Sequence, residues 1–157
     1  MHVSVNLLDD MLEGAHVLNV GCVNGVLSSQ IAANKNRRVT ALDHDPKILK
    51  SIKPRPNLIT VEGSGLDLKA VLGDEKYDVV IVAFSSLTWA SDLVQARMAI
   101  DSALGQCRIG GTALFMPVMQ HLASFETYLS ELAEGRLPGF QRASSSDVEL
   151  AKKSESC

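Results

Sequence analysis

Cysteine is scarce in this chain: three residues, Cys22, Cys107 and Cys157, odd in number and scattered. Neither a disulfide framework nor a zinc pattern can be drawn from them. Histidine adds no metal centre, because His16 and His121 lack ligand-spaced partners. Apolar runs long enough to span a bilayer are missing, and so are internal repeats and low-complexity segments. There is no excess of positive charge either. The net charge is −3, which removes the general case for a nucleic-acid-binding protein. Asp9, Asp10 and Glu13 sit where a signal peptide would be apolar, so a cytoplasmic, reducing setting and no membrane partner are expected.

What is present suits one domain spanning 1–157, with 46% apolar residues available for a core. The pattern alternates short β-branched runs with helical stretches. A helical tendency ends at Glu13-Gly14, and strands follow at His16–Val20, Val39–Asp43, Asn57–Glu62, Tyr77–Phe84 and Thr112–Val118. Helices are expected to about Asn34, over Pro46–Ile52 behind an Asp45 cap, over Asp67–Leu72 to Gly73, over Ser91–Leu104 and over Gln120–Glu134. YDVVIVAF is apolar on both faces and belongs in the middle of a parallel sheet. The tail from Gln141 has room for one or two short strands, Val148–Ala151 the better placed, which leaves little for an antiparallel last pair. The expected fold class is α/β: a doubly wound, mostly parallel sheet, helices on both faces, with little or no cap.

His16 to Ser28, HVLNVGCVNGVLS, organises the rest. An apolar strand breaks at Gly21 and Gly25 and resumes as a helix, the opening of a nucleotide-binding α/β unit. About twenty residues on, Asp43 ends the second apolar run, where a carboxylate can accept hydrogen bonds from two ribose hydroxyls. Together these point to an adenosine-containing cofactor. A nicotinamide-binding domain would need G-x-G-x-x-G, a spacing GCVNGVLS does not supply.

The order of these features resembles the class I S-adenosylmethionine-dependent methyltransferases over most of the chain. VLNVGCVNGVLSSQIA is similar to their first motif, VTALDHDPKIL to the second, NLITVEGSGLDL to the third-strand segment, YDVVIVAFSSLTW to the fourth strand and loop, and CRIGGTALFMP to the fifth. The resemblance implies S-adenosylmethionine as cofactor. It places Gly21, Cys22, Val23 and Gly25 under the methionine part, Asp43 on the ribose with His44 beside it, Ser64, Gly65 and Leu66 at adenine, and Ala83, Phe84 and Ser85 toward the methyl group. The motif is also eroded. Asn19 stands where the family has an acid, Val23 where it has its middle glycine, and Ser64 where an acid follows the glycine. The tail shares a serine-rich segment with the FtsJ-like RNA 2′-O-methyltransferases. The charges of their catalytic tetrad have no counterpart at Ala83, Phe84 or Met116, so no role follows.

Trp89, Ser85, Ser86 and Thr88 could line the substrate side of the fourth-strand loop, or be core and plain polar loop respectively. No dedicated base stands out, so the methyl acceptor stays open among small molecule, protein and RNA, and catalytic residues are unassigned. Methyl transfer asks a protein mainly to hold the reacting atoms in line and keep water out. Two expectations result. One is a methyltransferase. The other is a degenerate methyltransferase-like subunit that scaffolds or binds, with a partner subunit or with RNA through Lys35, Arg37, Arg38, Lys47, Lys50, Lys53 and Arg55.

Overall fold

A computed structural model describes residues 9–83, 93–116, 140–142 and 148–152. Their order is α1 (Asp9–Leu12), β1 (His16–Val20), α2 (Val26–Ile31), β2 (Arg38–Asp43), α3 (Pro46–Ser51), β3 (Leu58–Glu62), α4 (Leu68–Leu72), β4 (Tyr77–Ala83), α5 (Leu93–Gln106), β5 (Cys107–Met116), β6 (Phe140–Arg142) and β7 (Val148–Lys152). The expected helix over Gln120–Glu134, with Phe84, Ser85, Ser86, Thr88, Trp89 and His121, lies outside the described residues.

The strands form one sheet in the order β3-β2-β1-β4-β5-β7-β6. The five from β3 to β5 run parallel, whereas β7 is antiparallel to both β5 and β6. The antiparallel last pair is therefore present after all, against the expectation from the short tail. It needs only three residues in β6, with Phe140 opposite Lys152, and β7 runs one residue past Ala151.

Each face of the sheet carries its own core. Leu18, Val20, Leu42, Val80, Val82 and Phe115 pack under Leu68 of α4 and Ala99, Ile100 and Ala103 of α5. Val17, Val39, Ala41, Val79 and Ile81 pack on the other face under Leu12, Ile31 and Ile52. Strict alternation along each strand makes this possible, since successive side chains point to opposite faces. β4 lies between β1 and β5 and is buried on both faces, as its unbroken apolar run predicts. Met98 of α5 is exposed.

Local chemistry sets the helix ends. Asp45 accepts the Lys47 amide at 2.8 Å and Pro46 opens α3. Asp67 accepts the Ala70 amide at 3.2 Å, and Gly73 closes α4 at φ +63°. α2 stops at Ile31, short of Asn34, where the amides of Ala33 and Asn34 bond only three residues back, to the Gln30 and Ile31 carbonyls.

The fifth strand starts five residues before Thr112. Tyr77 pairs with Cys107 and Val79 with Thr112, so residues 108–111 bulge out opposite Asp78. Arg108 bonds the Asp78 carboxylate there. Gly111 is required by space: a Cβ would lie 2.7 Å from the Asp78 carbonyl oxygen.

Candidate functional site

From β1 the chain winds one way to β2 and β3 and the other way to β4 and β5. The crevice above the carboxyl ends of β1 and β4 is thus a topological switch point, where ligands bind in open α/β sheets. Three turns meet at this rim: Gly21–Gly25, Asp43–Asp45 and Gly63–Leu66.

The end of β2 holds them together. The Leu42 carbonyl accepts the amides of Gly21 at 2.8 Å and Cys22 at 3.1 Å. The Asp43 carbonyl accepts the Gly63 amide at 3.0 Å. The Asp43 carboxylate, 2% exposed, accepts the Val23 amide at 3.2 Å and the Asp45 amide at 3.0 Å. His44 Nδ1 lies 3.3 Å from the same oxygen that takes Asp45. An ionised carboxylate has about four acceptor positions. Two amides and one ring contact leave it capacity for further donors arriving from the crevice.

The first turn is left-handed at three points: Gly21 at φ +72°, Val23 at +50° and Gly25 at +69°. Gly25 is also packed tightly, since a Cβ there would meet Ile52 Cγ1 at 2.5 Å. Val23 departs from ordinary chemistry. Its backbone adopts a conformation suited to glycine, at a cost to the backbone, and its side chain is half-exposed.

Asn19 is buried beneath the turn, on the face of β1 covered by α2. Its Nδ2 donates to Ser28 Oγ at 2.8 Å, while Oδ1 has no partner among the described residues. The Asn19–Ser28 pair was not foreseeable from the motif alone. A serine in the first turn of α2, nine residues after a strand asparagine, was the available signal. Burial, and then the Asp43 carboxylate, push the Cys22 thiol up to about 12, so it stays protonated and fills space rather than acting as a nucleophile.

At the third turn Ser64 Oγ accepts the Leu66 amide at 3.2 Å, so the residue replacing the family acid shapes the turn itself. Ala83 ends β4 at the same rim, paired with Met116; Phe84 and Ser85 lie outside the described residues. The structure therefore brings Gly21, Cys22, Val23, Gly25, Asp43, His44, Ser64, Gly65, Leu66 and Ala83 to one end of the sheet. Of the seven basic residues expected to share a face, Arg37 is buried at 4% exposure and does not belong to it.

The residues present fit an adenosine-bearing amino-acid cofactor. Its donors are two ribose hydroxyls and an ammonium group, and the rim supplies a buried carboxylate with spare capacity and an orphaned buried amide oxygen.

Comparison with solved structures finds the same fold repeatedly. A putative caffeoyl-CoA O-methyltransferase from Staphylococcus aureus superposes with a TM-score of 0.71 at 13% identity, covering 98% of this chain and 84% of that one. The N-methyltransferase NodS from Bradyrhizobium japonicum gives 0.67 at 16% identity, covering 94% and 93%. An amino pentose methyltransferase of calicheamicin biosynthesis from Micromonospora echinaspora, solved with S-adenosylmethionine bound, gives 0.62 at 21% identity. Of that last protein this chain spans about half: 73% of this chain aligns with 49% of the other. A search of curated proteins finds no match. A family profile described as a methyltransferase domain matches residues 17–111, from the first strand through the glycine pair before Thr112. With its Rossmann-like sheet and most of its length inside that profile, the chain belongs to the methyltransferase-domain family.

Proposed function

We propose that the chain is a working methyltransferase that binds S-adenosylmethionine at the rim and transfers its methyl group to an acceptor held above β4. The observation that carries this reading is Asp43. It is a buried carboxylate at the end of β2, fixed by two backbone amides and flanked by the His44 ring, with acceptor capacity left beyond them. The bound cofactor supplies an electrophilic methyl on a sulfonium.

In this reading Asp43 holds the ribose hydroxyls, with His44 flanking it. The Gly21–Gly25 backbone passes under the methionine part, and Asn19 Oδ1 accepts from a donor at that end. Ser64, Gly65 and Leu66 wall the adenine, and Ala83, Phe84 and Ser85 face the methyl. Holding these turns rigid is the protein's main contribution, because methyl transfer gains most from alignment and exclusion of water. A base is needed only for weakly acidic acceptors.

No helix among the described residues is long and apolar enough to cross a membrane. The reading includes a cytoplasmic setting, in keeping with the low cysteine content.

A second reading, a cofactor-free scaffold on the same fold, draws on Asn19 and on the strained Val23. Titration calorimetry with S-adenosylmethionine and S-adenosylhomocysteine separates the two. The methyltransferase reading expects binding by the wild type and its loss in Asp43→Asn, with circular dichroism unchanged. Silence for both ligands from folded wild-type protein decides for the scaffold.

A further inference from the structure

The cations of this chain are concentrated in space as well as in sequence. Seven of the fifteen Lys and Arg, but two of the eighteen Asp and Glu, fall between Lys35 and Arg55. The rest of the chain is consequently strongly acidic. Of the seven, Arg37 is buried, and the other six are exposed. None of those six forms an ion pair among the described residues. Neither carboxylate in the segment forms an ion pair with these six: Asp43 is buried, and Asp45 accepts the Lys47 amide.

Their arrangement is directional. Lys47 and Lys50 stand three apart on the exposed side of α3, whose Ile48 and Leu49 pack against the core. α3 starts three residues after Asp43, at the cofactor rim, and returns the chain to the opposite rim. There Lys53 and Arg55 precede β3, while Lys35 and Arg38 lead into β2.

Asn57 fixes these two loops against each other. Its Nδ2 donates to the carbonyls of Ala32 at 2.9 Å, Asn34 at 3.1 Å and Arg37 at 2.8 Å, and its own carbonyl accepts the Val39 amide at 2.8 Å. The six cations thus form a strip from the far rim, along the β2–α3–β3 crossover, to the exposed His44 ring beside Asp43.

We propose that this strip binds the phosphate backbone of single-stranded nucleic acid and leads the strand to the cofactor rim, making nucleic acid the acceptor class. The second half of that statement rests on the methyltransferase reading. The length suits it: β2 spans roughly 20 Å, about six nucleotides of a stacked strand at ~3.4 Å each. The composition suits it as well. No Phe, Tyr or Trp lies between Lys35 and Arg55, so the lysines and arginines of the strip touch phosphates and read no sequence. A bilayer is the poorer fit, because a plane touches one rim whereas the strip joins both.

The test is fluorescence anisotropy of labelled 12-nucleotide oligo(U) and oligo(dT), without cofactor, across a salt series. The expectation is binding to both, weakening with salt by a log–log slope near −0.7 per phosphate contact, or about −4 for six. Lys47→Glu/Lys50→Glu should weaken binding at least tenfold and make the slope shallower by about 1.4. Lys69→Glu, on α4 outside the strip, should change neither.

The proposal is overturned if neither oligonucleotide binds at 20 mM salt, or if Lys69→Glu weakens binding as much as the strip variant. It also falls if poly-glutamate or vesicles of anionic lipid compete as well as the oligonucleotide does. Oligonucleotide binding with silent cofactor calorimetry keeps the strip and removes the methyltransferase reading. Cofactor binding without oligonucleotide binding does the reverse.

Discussion

Val23 allows a sharp test because its side chain and its backbone make opposite demands. At φ +50° a residue with a Cβ is strained, by roughly 1–2 kcal/mol for the left-handed region. Truncation to alanine removes two methyl groups but keeps the Cβ and its strain. Truncation to glycine removes the same methyls, the Cβ and the strain together. At an ordinary φ the alanine variant would be the more stable by about 0.5–1 kcal/mol, because glycine gains more freedom on unfolding. Here the strain term exceeds that entropy term, and the order reverses.

Val23→Gly should be more stable than Val23→Ala by up to about 1 kcal/mol. Because both variants lose the same half-exposed methyls, the comparison does not depend on the value assigned to their burial. Urea midpoints at constant m-value are the assay, with Tm as a check, where 1 kcal/mol corresponds to about 2–4 °C at this size. An alanine variant equal to or more stable than the glycine variant would refute the claim that this turn is strained at position 23.

Gly25→Ala combines a left-handed φ with a Cβ 2.5 Å from Ile52 and should cost about 2–4 kcal/mol, whereas Gly14→Ala, at φ +63° with nothing within 4 Å, should cost about 1–2 kcal/mol in the same urea assay. Asn57→Ala removes the donor to three carbonyls and should cost about 1–3 kcal/mol, with faster amide exchange in both loops it joins. The His16 ring is held below its ordinary pKa of 6.5, chiefly by burial and next by the Arg38 charge, partly opposed by Glu75 and Asp78. The folded state therefore favours the neutral ring, and its contribution is complete above 6.5 and is lost as pH falls below it. Urea midpoints should drop less between pH 7.5 and pH 5.5 in His16→Gln than in the wild type; an equal drop in both would assign the acid sensitivity elsewhere.

The middle of the sheet was legible in the sequence because β1, β2 and β4 are buried on two faces and therefore written as apolar runs. Tyr77–Ala83 is the clearest, and Val39–Asp43 was misplaced by a single residue at Arg38. Helix starts with a side-chain cap, Asp45 and Asp67, could be read directly. Ends set by tertiary contact could not. The bulge at 108–111 depends on Asp78 across the strand pair, and the β6–β7 pair depends on β5 offering an edge. The binding turns were visible as glycine spacing. The conformation of Val23 was not, since nothing in a valine announces a positive φ, and the burial of Arg37 was hidden inside a run of cations.

The end of β2 has a kinetic consequence. Gly21, Cys22 and Val23 on one side and Gly63 on the other all donate to two adjacent residues, Leu42 and Asp43. Both flanking turns are therefore moored to one short length of chain, and neither can open while that length stays in the sheet. Opening at this rim becomes a single event. The four amides should exchange with solvent at a common rate, and a ligand that grips Asp43 should slow all four together, including Gly63 on the far side of the strand.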